Sequence, residues 1–519
     1  SPSIRISIRM ALMSQDERRI AKGVSQLMYC NPFLPERKEL ERAILGNTGS
    51  ADGVWSKRSA DSKLSPAVTA IADVVEELIG KLRTKVKDKP LPDADLTLYT
   101  DVCLYLLFDR YRAELQLLIT TSQEKPVRKC TFVKAYLADF ERLLGDTGVA
   151  DRLGLDAAHL LACFFQVRRA FYFTYECIIG GSMSTAIMRA AVWQSIFTYD
   201  MRRYQHALYN KLGDITTLIV GPSGTGKELV AQAIGMSRYI AFDIEAGVFA
   251  ADFVKSYFPL NLSALSPTLI ESELFGHRRG AYTGALEDRE GWLEVCPPLG
   301  AVFLDEIGEI NEAIQVKLLR VLESRVFQRL GETESRQFTG KLIAATNRDL
   351  AREMDAGNFR TDLYYRLCSD IIHTPTLHEQ LQDMPGELEI LVRFLALRVA
   401  GEEVVEALTS EVVEWIDANL GAGYEWQGNV RELEQCVRNI MIRRDYRPAQ
   451  RSADTPHQHL ANDMAAGRLT ADELLSRYCT MVYAQTGNYE AAARQLELDR
   501  RTVKSKIDEA LLEQLKDKG

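Results

Sequence analysis

The sequence contains no paired cysteines and no long apolar run. Its nine cysteines are scattered and never form a C-x-x-C pair, and its seven histidines show no H-E-x-x-H spacing. A disulfide framework or a zinc site is therefore not expected. No apolar run reaches the roughly 18 residues that a membrane span requires, and the first residues lack the pattern of a signal peptide. We expect a cytoplasmic protein that makes no contact with a membrane.

An excess of positive charge is also lacking. The 63 Lys and Arg residues are outnumbered by 72 Asp and Glu residues, which gives a net charge of -9. A chain that coats nucleic acid non-specifically needs a broad positive field, so this class of protein is excluded and any contact with DNA must be local. At 519 residues the chain is too long for one core, and we expect three or more domains.

The pattern of apolar residues predicts a multidomain chain. Helical spacing runs from about residue 12 to residue 177, and apolar strands at 216–220, 301–304 and 341–345 then alternate with helices, which is typical of a parallel sheet. We predict an α-helical N-terminal domain, an α/β P-loop domain with a parallel sheet and an α-helical lid, and a C-terminal helix-turn-helix. The predicted boundaries are 1–178 for a sensing or regulatory domain, 179–376 for the α/β part, 377–445 for the lid, 446–468 for a linker and 469–519 for the last domain.

An aromatic stretch near the end of the helical region has two interpretations. It comprises Phe164, Phe165, Phe171, Tyr172, Phe173 and Tyr175. Buried helix packing is the commoner explanation for such a stretch, and a ligand pocket is the alternative.

A glycine-rich loop follows the first predicted strand and opens a helix. Its residues are Gly221, Pro222, Ser223, Gly224, Thr225, Gly226, Lys227 and Glu228. The glycines allow backbone N–H groups to surround phosphates, and Lys227 reaches the β and γ phosphates of a nucleotide. Glu228 stands where a serine or threonine is usual. We predict that this loop binds ATP.

Polar side chains end the next two predicted strands. Asp305 and Glu306 follow one strand, and Asn347 follows the other. Asp305 is suited to hold Mg²⁺, Glu306 to polarise the attacking water, and Asn347 to sense the γ-phosphate. The sequence therefore predicts hydrolysis of ATP with Mg²⁺ as a cofactor.

Three arginines complete the predicted machinery. Arg360 and Arg366 are candidates for guanidinium groups that one subunit presents to the nucleotide of its neighbour, which requires a ring assembly. Arg431 begins a predicted helix of the lid and is placed to contact the nucleotide. Surface salt bridging is the alternative interpretation of any one of these arginines.

The last fifty residues contain a sequence pattern that predicts a helix, a tight turn and a second helix. Five basic residues against two acidic ones lie between Arg494 and Lys506, so one face is basic within an otherwise acidic chain. A helical dimerisation hairpin is the alternative, but it does not need this basic cluster. The predicted DNA contacts are Arg500, Arg501, Thr502, Lys504, Ser505 and Lys506.

Taken in order, these motifs resemble the sigma-54-dependent transcription activators, a branch of the AAA+ ATPases. The phosphate loop, the segments at 271–277, 304–309, 345–349 and 428–433, and a hexapeptide at 280–285 all match that family, and the C-terminal helices resemble its Fis-type helix-turn-helix. The resemblance implies that the hexapeptide tips a loop that engages the sigma factor, with Tyr282 where the family usually has phenylalanine. Its residues are Gly280, Ala281, Tyr282, Thr283, Gly284 and Ala285.

The resemblance also implies roles and partners that the motifs alone do not give. Asn261 would couple the γ-phosphate to Glu306, and Arg360 and Arg366 would act in trans. The connection at 237–257 is longer than is usual in the family, and we expect it to alter an outer surface. The implied partners are double-stranded DNA at enhancer-like sites, sigma-54 RNA polymerase and further copies of the chain in a ring, most simply a hexamer.

The leading interpretation is an ATPase that remodels sigma-54 RNA polymerase from the closed to the open complex. Two alternatives stay open: a DNA-binding regulator or repressor of the same family without sigma contact, and an AAA+ unfoldase. The first alternative is disfavoured because the residues it would no longer need are intact, namely Gly280, Thr283, Glu306 and Arg366. The second is disfavoured because an unfoldase would lack the hexapeptide loop and the C-terminal DNA-binding helices.

Overall fold

The computed structural model describes residues 13–46, 66–88, 92–125, 129–384, 386–421, 423–448, 460, 463–464, 467 and 469–516. These residues form two compact units, one ending at Arg444 and the other beginning at Asp445. Most of the predicted linker lies outside the described residues. None of the helices in the described part of the chain combines the length and the apolar character that crossing a membrane takes.

The first part of the larger unit is helical, as predicted. Within the described residues its α-helices are Gln15–Tyr29, Glu36–Leu45, Pro66–Asp88, Asp93–Arg110, Arg112–Glu124, Val133–Phe140, Val149–Leu153 and Ala157–Phe171. Single π-helical turns at Glu141–Gly145 and Tyr172–Glu176 extend two of them. The aromatic stretch contributes to the core, since Phe164, Phe165 and Phe173 are almost fully buried.

A parallel five-stranded sheet forms the centre of the larger unit. In chain order its strands are β1 Thr217–Val220, β2 Tyr257–Asn261, β3 Ala301–Asp305, β4 Lys341–Thr346 and β5 Asp370–His373. Their spatial order is β5-β1-β4-β3-β2, with every neighbouring pair parallel. The predicted α/β class is confirmed, and the three predicted strands are β1, β3 and β4. Strands β2 and β5 were not predicted from the apolar pattern, because each is an edge strand with a single buried residue.

Helices and short hairpins connect the strands. The helices are Met183–Phe197, Met201–Arg203, Lys227–Gly235, Pro267–Phe275, Trp292–Val295, Glu312–Ser324, Leu350–Asp355 and Thr361–Leu367, with shorter helical turns at Tyr204–Leu208, Leu212–Asp214, Val254–Ser256, Leu262–Ala264 and Ile307–Glu309. The antiparallel ladders pair Phe242–Asp243 with Val248–Phe249, Gly276–His277 with Arg289–Glu290, and Val326–Phe327 with Arg336–Gln337. The predicted helical lid comprises Leu377–Asp383, Glu387–Ala400, Val405–Asn419 and Asn429–Arg443.

The two faces of the sheet belong to different cores. Ile219, Phe303 and Ile343 pack into the core of the N-terminal helices, whereas their neighbours on the other face pack against the helices that follow β2 and β3. Successive strand residues point to opposite faces, so adjacent apolar positions serve both cores. The N-terminal helices and the five-stranded sheet therefore share one continuous core.

The long connection at 237–257 contributes to this shared core, while its residues Asp243, Glu245 and Ala250 are exposed, so its effect on an outer surface stays a prediction. Phe249 stacks on Phe165 of the N-terminal helices, with ring centroids 4.1 Å apart. The backbone N–H of Cys130 donates to the carbonyl of Gly247 at 2.9 Å. The connection folds as a hairpin because its aromatic residues find apolar partners in the N-terminal helices.

The second unit contains the helices Ala471–Thr486, Tyr489–Leu496, Arg500–Ser505 and Glu509–Lys516. Val482, Ala492 and Val503 contribute to its small core, and Leu496, Leu498 and Ile507 pack against it. Asp499 caps the third helix by accepting from the N–H of Arg501 at 2.7 Å. The helix, turn and helix pattern of the sequence is thus present in the fold.

Candidate nucleotide-binding site and partner loops

The phosphate loop links β1 to the helix Lys227–Gly235. Gly224 has a φ of +79°, and a Cβ added there would lie 2.3 Å from the carbonyl oxygen of Gly428 in the lid. Only glycine permits this backbone and this close approach. The loop leads directly into the N-terminus of the helix Lys227–Gly235, where free backbone N–H groups favour the binding of phosphate.

Lys227 lies at the base of this loop and is almost fully buried. Its Nζ donates to the carbonyls of Gly221 at 2.9 Å and Pro222 at 3.2 Å. Burial lowers the pKa of the ammonium, and the carboxylates of Glu306 and Asp305 oppose that shift. The cation is thus placed between the loop and the two acidic residues.

Asp305 and Glu306 lie at the carboxyl end of β3. Burial raises the pKa of Asp305, whereas the charge of Lys227 acts in the opposite direction. Glu306 adopts a left-handed conformation with a φ of +58°, which ends the strand and turns the side chain toward β4. Its Oε2 accepts from the backbone N–H of Asn347 at 3.2 Å. The strand ends that the sequence singled out therefore meet.

The donors at this site suit Mg²⁺ that is shared with phosphates. No group of three or more His, Cys, Asp or Glu side chains within the described residues could hold a metal ion by itself. Mg²⁺ is commonly held by one or two carboxylates together with substrate phosphates. Asp305 beside the phosphate loop meets that requirement, and Glu228 lies close enough to influence the pKa of Asp305.

Asn261 ends β2 directly beside Asp305 in the parallel register. Its Oδ1 accepts from the N–H of Ser263 at 3.0 Å and from the Ser263 hydroxyl at 2.8 Å. The predicted link from the γ-phosphate to Glu306 stays a prediction. The register nevertheless places Asn261 at the same sheet edge as the two acidic residues.

A pocket of about 310 Å³ lies against the phosphate loop. The predicted residues that line it are Ser223, Gly224, Thr225, Gly226, Lys227, Glu228, Asp305, Glu306 and Arg431. The described lining does not include Gly221, Pro222, Asn261, Asn347, Arg360 or Arg366. Sequence reasoning missed several lining residues, namely Cys177, Ile178, Ile179, Thr185, Met188, Gln380, Leu391, Leu395, Arg398 and Glu434.

The missed residues include the end of the N-terminal helical region. Arg189 is fully buried and holds this segment by donating to the carbonyls of Ile178 at 3.0 Å and Gly180 at 2.8 Å. The N–H of Gly181 donates to the carboxylate of Glu387 in the lid at 2.7 Å. No sequence motif marks this segment, because its role depends on contacts between distant parts of the chain.

The lid contacts the phosphate loop through the start of its last helix. Arg431 Nη1 donates to the Ser223 hydroxyl at 3.1 Å, and Asn429 Nδ2 donates to the Ser223 carbonyl at 3.0 Å. The N–H of Val430 donates to the carbonyl of Gly224 at 3.1 Å. The predicted position of Arg431 at the nucleotide pocket therefore agrees with the geometry.

Arg360 and Arg366 lie on the surface and away from the pocket lining. Arg360 pairs with Asp362 at 2.8 Å, and Arg366 pairs with Glu323 at 3.5 Å. Exposed pairs of this kind contribute little to stability. Both guanidinium groups are accessible to a neighbouring subunit, and their action in trans stays a prediction.

The hexapeptide at 280–285 forms a tight turn. The N–H of Gly280 donates to the carbonyl of Ala285 at 2.9 Å, and the positive φ angles of Gly280 and Gly284 close the turn. Ala285 is buried, whereas Thr283 is exposed at the tip. Tyr282 packs edge-on against His277, with ring centroids 5.1 Å apart. Thr283 therefore lies exposed at the tip, while Ala285 and Tyr282 hold the turn against the rest of the domain. Leu286, beside the tip, is 80% exposed.

The predicted DNA contacts lie on or next to the helix Arg500–Ser505. Arg501, Lys504 and Ser505 are exposed, and Arg500 is exposed with an ion pair to Glu490 at 3.4 Å. Thr502 is half-buried. Lys506 pairs with Asp472 and follows the helix rather than lying on it. Arg500, Arg501 and Lys504 are thus the exposed cations among the six.

Comparison with known proteins identifies the central module. Residues 198–373 match the model of the sigma-54 interaction domain. The Nif-specific regulatory protein of Enterobacter agglomerans is 42% identical over 232 residues, which are 45% of this chain and 41% of that protein. The transcriptional regulatory protein ZraR of Escherichia coli (strain K12) is 36% identical over 302 residues, which are 57% of this chain and 63% of that protein. The chain thus spans between 41% and 63% of the length of these relatives.

Among solved structures, NtrX from Brucella abortus in complex with ATP is 22% identical and has a TM-score of 0.40, with coverage of 77% of this chain and 86% of that one. The motifs at the strand ends, the matched domain and the named relatives agree with one another. Through residues 198–373, the chain is similar to the sigma-54 interaction domain, and its central part resembles these two regulatory proteins.

Proposed function

We propose that this protein is an ATP-dependent activator that binds DNA upstream of a promoter and remodels sigma-54 RNA polymerase from the closed to the open complex. The observation that carries the proposal is the exposed Thr283 at the tip of the 280–285 turn, in a domain that also brings the phosphate loop together with Asp305 and Glu306. A motor and a separate contact element are the two parts that such remodelling needs.

The pocket supports hydrolysis of ATP. Lys227 and the loop N–H groups would bind the phosphates, Asp305 would hold Mg²⁺, and Glu306 would orient and polarise the attacking water. Mg²⁺ would supply neutralisation of the phosphate charge. Arg360 and Arg366, which lie on the surface, would complete the site of a neighbouring subunit in a ring.

The second unit supports recognition of DNA. Its exposed basic residues Arg501 and Lys504 lie on the short helix that follows the turn, as the recognition helix of a helix-turn-helix does. Because the whole chain is acidic, binding would depend on this local basic face, and it would weaken as the salt concentration rises.

The variant Thr283→Ala tests the contact with polymerase separately from the hydrolysis of ATP. The tip lies outside the nucleotide pocket, so ATP hydrolysis and DNA binding should stay within about twofold of the unchanged protein. Formation of open complexes by sigma-54 RNA polymerase should fall by about tenfold or more, because the exposed hydroxyl and methyl groups of the tip are removed. Open complexes are measured by permanganate reactivity of the promoter.

Thr339→Ala is the matched control, since Thr339 is also exposed but lies in a different loop of the same domain. Normal activation by Thr283→Ala would contradict the role of the loop. If the unchanged protein hydrolyses ATP and binds DNA but opens no promoter, the repressor alternative is favoured. Hydrolysis stimulated by unfolded protein instead of by polymerase would favour the unfoldase.

A further inference from the structure

A second cavity lies inside the N-terminal helical region, apart from the nucleotide pocket. Several helices line it and leave it partly open to solvent, and its volume is about 100 Å³, several times the space that one water molecule needs. Aromatic rings dominate its lining, namely those of Tyr105, Phe108, Phe164, Phe171 and Trp193. The aromatic stretch of the sequence therefore supplies both a core and part of a cavity wall.

One guanidinium in this wall has no hydrogen-bonded acceptor. Arg168 is only 7% exposed and lines the cavity, and its guanidinium forms no hydrogen bond or ion pair with any residue in the described ranges. The guanidinium lies 5.4 Å from the centre of the Phe171 ring, which compensates only partly for the loss of water. The charge of Glu176 also stabilises the cation in part, but burying a guanidinium without a hydrogen-bond acceptor is costly.

The other charged groups around the cavity are already paired. Arg112 binds Asp109 at 3.0 Å, and Arg37 binds Glu41 at 3.0 Å. Burial, together with the positive charge of Arg112, lowers the pKa of Arg168 to about 10, the charge of Glu176 opposes that shift, and the group stays cationic at neutral pH. Of the three guanidinium groups that line the cavity, Arg168 is the one without an ion pair among the described residues.

We propose that this cavity binds a small apolar carboxylate, with the acid group on Arg168 and the apolar body among the aromatic rings. A guanidinium and a carboxylate form strong, directional hydrogen bonds, and these gain strength away from water. The rings provide the apolar surface that a single aromatic or branched aliphatic group would bury. The size of the cavity favours one ring or a short branched chain over a larger ligand.

Two elements connect this cavity to the nucleotide pocket. Phe171 is followed by the π-helical turn Tyr172–Glu176, and the next residues, from Cys177 on, line the nucleotide pocket. The helix Met183–Phe197 presents Trp193 to the cavity and Met188 to the nucleotide pocket. A ligand that shifts either element would change the shape of the pocket that holds ATP.

The test is calorimetric titration of the full chain with phenylacetate, benzoate and 4-methylpentanoate, with phenylacetamide as the neutral counterpart of the first. We expect saturable binding of at least one carboxylate and clearly weaker binding of the amide. Arg168→Met should weaken carboxylate binding by about 10- to 100-fold, because a charge-assisted hydrogen bond is lost, and should leave the amide unaffected. Arg203→Gln, at an exposed position of the same unit, should bind like the unchanged protein.

Three results would each overturn the site: no saturable binding of any of the three acids, equal affinity for phenylacetate and its amide, or unchanged affinity in folded Arg168→Met. If that variant does not fold, the comparison of acid and amide on the unchanged chain decides alone. The measurement is independent of ATP hydrolysis and of promoter opening, so its outcome is distinct from that of the proposed function.

Discussion

Glu306 is the side chain whose role can be tested with the smallest chemical change. Glu306→Gln keeps the side-chain volume and the acceptor for the N–H of Asn347, but it removes the carboxylate that would polarise water. We expect ATP affinity within about twofold of the unchanged protein, and a rate of hydrolysis lower by about 10²- to 10⁴-fold. Equilibrium binding of a labelled nucleotide and single-turnover hydrolysis measure the two effects separately.

Glu309→Gln is the matched control for this change. Glu309 lies three residues along the same segment, pairs with Arg348 at 2.6 Å, and does not line the described part of the pocket. Hydrolysis should be close to normal in this variant. An equal loss of rate in both variants would indicate a structural effect of the segment rather than a chemical role for Glu306.

The residues of the phosphate loop and the acidic pair were predictable, because their chemistry requires particular residue types at adjacent positions. Ser223 to Glu228, Asp305, Glu306 and Arg431 all line the pocket as their motifs imply. Ile178, Ile179 and Arg398 were not predictable, since an apolar wall or a paired arginine has no distinctive local pattern. Only the fold brings them to the nucleotide.

Among the secondary structure elements, the hairpin within the connection at 237–257 contributes to the joint between the helical region and the α/β domain. Phe249 is 1% exposed and packs on both Phe165 and Phe242. Arg169 reaches the same connection and donates to the carbonyls of Met236 and Arg238, each at 2.6 Å. The contact therefore combines aromatic packing with buried hydrogen bonds immediately after the helix Lys227–Gly235.

Phe249→Ala should loosen this joint. Removing a buried phenylalanine lowers the free energy of unfolding by about 3–5 kcal/mol. Amide hydrogen exchange should increase in both the helix Ala157–Phe171 and the hairpin, because each loses its partner. Tyr199→Ala, at a side chain that is 83% exposed, should change stability by less than about 0.5 kcal/mol. Faster exchange in the hairpin alone would show that the helix does not depend on it.

Strands with continuous apolar runs were predictable, whereas the joint was not. β1, β3 and β4 are buried along nearly their whole length, which leaves a strong signal in the sequence. The hairpin strands have two residues each, and β5 has a single buried residue, so none of them contains a continuous apolar run. Their positions are fixed by the surfaces on which they pack.

As a complete molecule, the chain presents part of its predicted catalytic machinery on its outside. Arg366 is more than half exposed and lies outside the described lining of its own pocket. Subunits carrying Arg366→Ala should therefore hydrolyse ATP poorly alone. Mixed in equal amounts with Glu306→Gln subunits, they should regain activity, because about a quarter of the interfaces would combine an intact Glu306 with an intact Arg366.

The control mixture pairs Arg366→Ala with the double variant that carries both changes, since no interface in it holds both groups. Steady-state ATPase rates and sizing of the assemblies are measured together. Assemblies of normal size that stay inactive in the first mixture would place the action of Arg366 within its own subunit.

The short segment that ends the N-terminal helical region has a consequence for how such proteins can be recombined. Ile178 and Ile179 belong to the wall of the nucleotide pocket, and Arg189 and Glu387 fix the backbone around them. The predicted boundary between residues 178 and 179 passes through that wall. Exchanging the helical region for that of a related protein would therefore replace part of the candidate nucleotide pocket as well. A chimera that keeps this pocket intact would have to carry residues 177–181 with the α/β domain, because these residues belong to both parts of the chain.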